Sequence, residues 1–533
     1  VLKADKFCIL VTYTTDLIMS KFKTLSLLVI LSALKISTAN AQLKPAQIDS
    51  LVLKTLKTFD VPGIAVAVVK DDKIVYAHGY GVASLNTKKP VDANTLFGIA
   101  SNSKAFTVAA IGILSDEGKL KLDDKVTDYI PEFKLYDPYV TSEFTIRDLL
   151  THRSGLGLGA GDLMDFPDST DFTMKDVIHN LRYFKPVSSF RTKYDYDNQL
   201  YKVAGEVVAR VSGMSWEDFI ETRIMKPLGM TNSSASYQRL TNRSNVIDAH
   251  VPIDGKVEVV QRYLSTTGNA AGGIYSSVND LAKWVIMQMN NGKYGDSKQL
   301  FSEAIHNQMW SPQTIIPVNG AGVYNTHFAA YGLGWFLSDI KGYKEVNHTG
   351  GIDGMVTKVN LIPELKLGII VLTNQQSGAA FSSIVNEIKD SYLGVNTVDW
   401  VKRYDDAIKK SQGDNDSALK AIWKQVDDSK KAGTKTDPAV LGTYHDVWLG
   451  DVTISNEKGK IMFRAKRSPK LTGELMPYKA NTYIVKWLIR DMNADAFVIV
   501  SMDENNKPSG FKMKPLTPAT DFSYDFQDLD FHR

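Results

Sequence analysis

An α+β fold carrying a small all-β appendage is predicted for this chain from three features of its sequence. Strand-like apolar runs stand near both ends of the stretch 42–395, and helical periodicity dominates between them. Beyond Pro438, short β-rich runs alternate with polar turns. Strands at both ends imply one antiparallel sheet built from both ends of the domain, flanked by helices and enclosing an all-helical subdomain. A length of 533 residues exceeds what one hydrophobic core commonly supports, so two or more domains are expected. The boundaries read as a leader over 1–41, a main domain over 42–395, a helical linker over 396–435 and a β-rich domain over 436–533.

The leader has the layout of an export signal behind additional upstream sequence. Lys21 and Lys23 follow Met19, an apolar run extends from Leu25 to Leu34, and Ala39-Asn40-Ala41 precedes Gln42. A basic segment, a short apolar segment and a small-residue cleavage site are what a signal peptidase reads. A run of about ten residues is roughly half of what a membrane-spanning helix requires. Cleavage and release into the periplasm or medium is therefore expected over a retained anchor. Residues 1–18 are then either untranslated or removed with the signal. Cys8, the single cysteine, lies in this leader. The mature protein is left without disulfides, a thiol nucleophile or a cysteine metal site.

In the main domain, Ile64–Val69 and Ile74–Tyr76 flank the polar turn Lys70-Asp71-Asp72-Lys73, which predicts a β-hairpin. A helix is expected from Ser101 to Glu117. Phe106, Ala109, Ala110 and Ile113 fall at i, i+3, i+4 and i+7, and Gly118 supplies the stop. Trp216–Ile224 and Val278–Met289 read as helices, whereas 151–175 is loop-rich. Met355–Leu361 and Leu367–Leu372 are the late strands. Asp399–Lys431 is charged and helical in pattern, and Gly413-Asp414-Asn415 predicts a break into two helices. Asp451–Ser455, Lys460–Arg464, Thr482–Trp487, Ala496–Met502 and Gly510–Lys514 are short strands, spaced as in a small barrel or sandwich.

Composition and motif content exclude several functions. Hydrophobic residues make up 44% and charged residues 23%, an ordinary globular balance. A formal net charge of +3 without a basic cluster argues against nucleic-acid binding. No strand–G-x-G-x-x-G–helix unit is present, so no nucleotide cofactor is expected. Neither H-E-x-x-H nor a His/Asp cluster points to a metal. His152 and the glycines Gly155, Gly157 and Gly159 are read as loop-shaping rather than phosphate-binding.

The chemistry is read at Ser101-Asn102-Ser103-Lys104. S-x-x-K spacing recurs elsewhere, at Ser338/Lys341 and Ser417/Lys420 for example, but here it opens a strongly patterned apolar helix. Residues i and i+3 share a helix face, so Lys104 can reach the Ser101 hydroxyl. To accept a proton, lysine must be neutral, and burial against an apolar face lowers its pKa. A helix N-terminus also leaves backbone N–H groups free for an oxyanion. The competing reading is an N-capping serine beside a solvated lysine.

The surroundings decide between them. FGIASNSKAFTVAAIGILSDEGKLKLDDKVTDYIP is followed by TIRDLLTHRSGL, YDYDNQLYKVAGEVV, AAGGIYSSVNDLAKW, YGLGWF and His348-Thr349-Gly350-Gly351, in that order. This ordered set, over residues 50–390, resembles the serine β-lactamase-like superfamily of class C β-lactamases, D,D-peptidases and related esterases. The resemblance implies that Ser101 is acylated, with Lys104 as its partner base. It puts the Y-x-N element at Tyr196-Asp197-Asn198. Tyr196 would then relay a proton at the leaving group, while Asn198 holds substrate and Lys104. Tyr194 competes for that role but lacks an asparagine two residues on. Gly350 belongs to the third element, and the Gly351 N–H with that of Ser101 would form the oxyanion hole. His348 replaces the lysine of the lactamase K-T-G element, as in the esterase and D-aminopeptidase branch. An imidazole there predicts weak β-lactam hydrolysis and a pH–rate limb near the histidine pKa. The segment from GTYHDVWLGDVTI to the C-terminus resembles the lipocalin-like β domain appended to some of these hydrolases. Its aromatics Trp448, Tyr483, Trp487 and Phe511 are expected in its core, and a role in covering the active site is one hypothesis for it.

The expected activity is acyl transfer through a seryl ester, on short esters or D-amino-acid-containing peptides and amides. A penicillin-binding sensor acylated without turnover is the alternative from another class, a class C-like β-lactamase a third reading, and a dead scaffold the weakest. No cofactor is expected. Partners are confined to a small-molecule or peptide substrate, and a homo-oligomer stays open.

Overall fold

The computed structural model describes residues 42–533, so the export-signal reading and Cys8 lie outside the described residues. After α1 (Pro45–Thr58) comes the anticipated hairpin of β1 (Gly63–Lys70) and β2 (Lys73–Gly81). α2 (Lys104–Asp116), α3 (Asn198–Ser212) and α4 (Val278–Met289) belong to a largely helical region. That region also carries a small hairpin of Ala249–Ile253 with Lys256–Val260. The remaining sheet strands are β3 (Thr314–Ile316), β4 (Ala329–Tyr331), β5 (Phe336–Ile340), β6 (Tyr343–Ile352), β7 (Met355–Ile362) and β8 (Leu367–Thr373). Their order is β2-β1-β8-β7-β6-β5-β4-β3, antiparallel throughout, so both ends of the domain meet at the β1–β8 pair.

β1 reads as an unbroken apolar run because both its faces are covered. Ile64, Val66 and Val68 pack with Ile48 and Val52 of α1 and with Ile384 and Ile388 of α5 (Gly378–Leu393). Ala65, Ala67 and Val69 face the opposite core, which contains Phe106 of α2 and Trp284 of α4. Those two rings stack at 3.9 Å between centroids. Each fully buried aliphatic side chain contributes about 1.5–3 kcal/mol.

The expected break near Gly413 is absent. α6 (Trp400–Lys431) is one continuous helix of 32 residues. A helical glycine costs only about 1 kcal/mol relative to alanine. The pairs Lys402–Asp406, Lys409–Asp405 and Lys424–Asp428 support the exposed face at four-residue spacing. Its ends are held by different cores: Val401 by the first, Val426 by Ile484 and Leu516 of the C-terminal domain.

That domain is a closed up-and-down barrel of eight strands. These are β9 (Gly442–Asp446), β10 (Gly450–Glu457), β11 (Lys460–Ala465), β12 (Thr472–Lys479), β13 (Thr482–Trp487), β14 (Ala496–Met502), β15 (Pro508–Pro515) and β16 (Asp530–His532). β9, β12 and β16 were not anticipated. The barrel interior is filled by side chains, with Trp448, Tyr483, Trp487 and Phe511 all buried. Among the described residues, no helix is long and apolar enough to cross a membrane.

Candidate active site

Backbone constraint builds the Ser101 turn. Ala100 holds a left-handed φ of 47°, which costs an L-residue about 1–2 kcal/mol. A 3-10 turn over Ala100–Ser103 then feeds α2, so the expected helix opens one turn tighter than an α-helix. The Ile99 N–H donates to Ile274 O at 2.9 Å. Thr357 of β7 donates its hydroxyl to Ile99 O at 3.0 Å and accepts from Asn102 Nδ2 at 2.9 Å. The turn is thereby clamped between the sheet and the loop before Tyr275.

Lys104 is fully buried at the start of α2. Its Nζ lies 3.0 Å from Ser101 Oγ, 2.7 Å from Asn198 Oδ1 and 3.0 Å from Ala271 O. The last two are oxygens that only accept, so they claim two N–H bonds. In the neutral amine the remaining position is a lone pair, and it faces the serine hydroxyl. Burial pushes Lys104 down to about 7, against the pull of Asp162 and Asp197. A large neutral fraction therefore exists at neutral pH.

Asn198, the first residue of α3, is oriented from behind. Its Nδ2 donates to Asp162 Oδ2 at 2.8 Å, which turns Oδ1 toward Lys104. Asp162 also accepts from Gln199 Nε2 at 3.1 Å, and burial raises its pKa. Behind it, Lys202 and Asp165 form a buried ion pair. None of Asp162, Asp165, Gln199 or Lys202 was singled out from sequence.

Tyr196 lies with its ring 4.7 Å from Lys104 Nζ. His152 packs on its other side at 4.3 Å between centroids, and the His152 Nδ1 accepts the Asp197 N–H at 3.1 Å. The loop-shaping reading of His152 fits this geometry. Burial holds the Tyr196 phenol well above its ordinary pKa, while the Ser101 hydroxyl beside it opposes that rise. The phenol stays protonated, so it can lend a proton and take it back but is not a resting base. Tyr194 packs instead against Tyr331 and Phe336.

His348 sits on β6, and its Nδ1 hydrogen goes to Thr349 O at 2.6 Å. Its Nε2 accepts from the Tyr331 hydroxyl at 3.0 Å. Burial, with the Lys104 charge adding to it, pushes His348 down to about 3. The ring is neutral between pH 5 and 8, so the anticipated limb near the ordinary histidine value does not belong to it. Tyr331 stands in the YGLGWF segment that carried the family resemblance, but no role was read for it.

Gly350 is required by close approach, since a Cβ there would stand 2.1 Å from Ile99 O. Gly351 is exposed, and its nearest neighbour to such a Cβ would be Val356 at 4.0 Å. Around Ser101, Tyr196, Asn198, His348 and Gly351 opens a cavity of about 650 Å³. Part of its wall comes from the barrel: Asp491, Asp521, Phe522 and Tyr524. The Phe522 ring meets Tyr196 edge-on at 5.8 Å. Asp525 accepts the Gly161 N–H at 2.7 Å and the Leu163 N–H at 2.9 Å, fastening this loop to the main domain. Among the described residues, no group of His, Cys, Asp and Glu could hold a metal ion.

Comparison with known proteins agrees with this architecture. The Beta-lactamase family model matches residues 48–391, and a domain of unknown function, DUF3471, matches 438–533. The unguisins hydrolase ungD of Aspergillus violaceofuscus is 29% identical over 421 residues, covering 74% of this chain and 74% of that protein. Protein flp of Staphylococcus aureus (strain NCTC 8325 / PS 47) is 27% identical over 339 residues, covering 62% of this chain and 63% of its own. An octameric penicillin-binding protein homologue from Pyrococcus abyssi shares the fold with a TM-score of 0.59 at 22% identity, covering 92% of this chain and 100% of that one. With the family model spanning most of the chain, this protein belongs to the Beta-lactamase family of serine hydrolases.

Proposed function

We propose that the protein hydrolyses short acyl esters or D-amino-acid-containing peptides and amides through a covalent ester on Ser101. The observation that carries this reading is the environment of Lys104, whose buried Nζ lies 3.0 Å from Ser101 Oγ with two acceptor oxygens, Asn198 Oδ1 and Ala271 O, taking its other bonds. Ser101 Oγ attacks the carbonyl carbon while its proton passes to Lys104 Nζ. The carbonyl oxygen becomes an oxyanion, received by the N–H groups of Ser101 and Gly351. The bond to the leaving group breaks as that atom takes a proton from Tyr196, which is replenished from Lys104. Water then attacks the ester and gives its proton to Lys104, which passes it on to Ser101 Oγ as the acyl C–O bond breaks, releasing the acid and restoring the neutral amine and the hydroxyl. A neutral His348 lacks the fixed cation that would face a β-lactam carboxylate, which supports the ester and peptide reading over a β-lactamase.

Intact-mass measurement with a fluorophosphonate probe, together with p-nitrophenyl ester turnover, tests the proposal. Labelling lost in Ser101→Ala, with steady turnover in the parent, supports it. Labelling without turnover favours an acylated sensor, and no labelling overturns the reading.

Export and self-assembly belong to the same proposal. The Lys21-to-Ala41 pattern supports export. N-terminal sequencing of secreted protein beginning at Gln42 is the result expected, and size-exclusion chromatography reads the assembly state.

A further inference from the structure

Asp162 is fully buried and lies outside the lining of the Ser101 cavity, yet it bears on the proton transfer there. An asparagine amide is nearly symmetric in shape but not in polarity, since one end only accepts and the other only donates. At Asn198 the two ends meet different groups, Lys104 Nζ at 2.7 Å and Asp162 Oδ2 at 2.8 Å. Turned over, the amide would set its oxygen against a carboxylate oxygen with no hydrogen between them. It would also aim an N–H at Lys104, where the lone pair of a neutral amine would accept it. That lone pair is what must take the Ser101 proton. The carboxylate thus forbids the one orientation of Asn198 that competes with Ser101 for the base.

The position of Asp162 is itself fixed from several sides. Its Oδ1 accepts from Gln199 Nε2 at 3.1 Å, and the same nitrogen donates to Asp165 Oδ2 at 3.2 Å. Asp165 accepts the Thr267 hydroxyl at 3.0 Å and pairs with buried Lys202. Asp162 opens a 3-10 turn, Asp162–Met164, and the two Asp525 oxygens accept the Gly161 and Leu163 N–H groups of that turn. Both donors to the Asp162 side chain are amide N–H groups, the surroundings of a carboxylate rather than of a carboxylic acid. Burial raises its carboxyl, while the bonds from Asn198 and Gln199 and the charges of Lys202 and Lys104 oppose that rise.

We propose that Asp162 is a positioning residue for the serine–lysine pair, fixing the Asn198 amide so that Lys104 is left free to accept the Ser101 proton. The proposal rests on the reading of Ser101 as the acylated nucleophile. A second effect follows from the charge of Asp162, which with that of Asp197 favours the protonated lysine, whereas Lys202 disfavours it. The other groups facing Lys104 are the Tyr196 and Tyr201 rings, at 4.7 and 5.3 Å, and the neutral imidazoles of His152 and His348.

The pH–rate profile of p-nitrophenyl acetate hydrolysis by the full chain reads the two effects apart. At pH 9, where Lys104 is neutral, Asp162→Asn should lower kcat by about tenfold or more with KM within about threefold. Loss of the charge should also move the acid limb below that of the parent, by about half a pH unit or more. A merely structural loss would lower the plateau and leave the limb in place. In an Asn198→Ala background the same substitution should cost less than about twofold at pH 9, because the amide it acts through is gone. An unchanged plateau, an unmoved limb, or a full loss in that background overturns the proposal and leaves Ser101 chemistry standing. Failure of a fluorophosphonate to label Ser101 in the parent overturns both. If Asp162→Asn does not fold, Asp525→Asn, which loosens the turn that carries Asp162, takes its place. A plateau loss of about threefold or more that vanishes in the Asn198→Ala background then supports the proposal, and an unchanged plateau or a loss that persists there overturns it.

Discussion

The hydroxyl of Tyr331 and the Nε2 of His348 are 3.0 Å apart, and with the Nδ1 proton bound to Thr349 O this locks the histidine in one neutral tautomer. The residue replacing a family lysine is thus an acceptor held by its neighbours. Removing the phenol in Tyr331→Phe should free Nε2 while burial still keeps the ring neutral. A fall in kcat/KM without a new pH limb between 5 and 8 is expected, read from pH–rate profiles of parent and variant.

The pH dependence should follow Lys104 instead. Its pKa is lowered to about 7, and the base must be neutral to act, so activity should fall as pH drops below about 7 and level off above it. The same limb is expected in His348→Asn. Lys104→Met should lose about 10³-fold or more in kcat with native circular dichroism.

Two adjacent glycines should respond differently. Gly350→Ala drives a methyl into Ile99 O, so the Ser101 turn must shift; activity should fall by about 10²-fold or more, with a lower Tm. Gly351→Ala meets nothing closer than 4.0 Å and should retain folding, with its effect confined to KM. Thermal melts and ester kinetics on both variants check this contrast.

A buried ion pair away from the site sets an acid limit on stability. Burial alone would raise Glu345, but Lys389 and Lys358 outweigh it and hold its pKa at about 2. A folded pKa below the unfolded one means stability that is present above the unfolded value and lost as pH falls through about 4.5 toward 2. Lys389→Met, which strands Glu345 in the interior, should cost about 3–5 kcal/mol at pH 7. Chemical denaturation at pH 7 and pH 3 reads both effects, the variant losing most of its deficit at pH 3.

Gly413→Ala should stabilise the protein by about 0.5–1 kcal/mol, because the glycine lies in the exposed middle of α6 with nothing near its missing Cβ. Denaturant titration of the two proteins measures it.

Those elements whose signal is local were legible in the sequence. The hairpin 64–76, the helix Val278–Met289 and the strands Thr482–Trp487 and Ala496–Met502 follow from periodicity and flanking turns. Ser101 and Lys104 stood out because an apolar helix begins there. β12 was missed because Gly473 and Pro477 are poor strand formers, and its ladder does shift register at Pro477. The helix break at Gly413 was over-read, since propensity yields to anchoring at both ends. Nothing local announced that Phe522 would meet Tyr196, or that Asp162 would aim Asn198. Those meetings are made by tertiary folding between segments far apart in the chain.

The clamp on the Ser101 turn also bears on how the chain reaches its native state. Thr357 touches Ile99 and Asn102 across more than 250 residues of intervening sequence. β1 likewise waits for β8 to complete its pairing. A nucleophile held by such distant partners is assembled late, after the costly closure of a very long loop, and refolding should be slow relative to its helices. Until then, the strained backbone at Ala100 has nothing to hold it, and the serine is an ordinary hydroxyl.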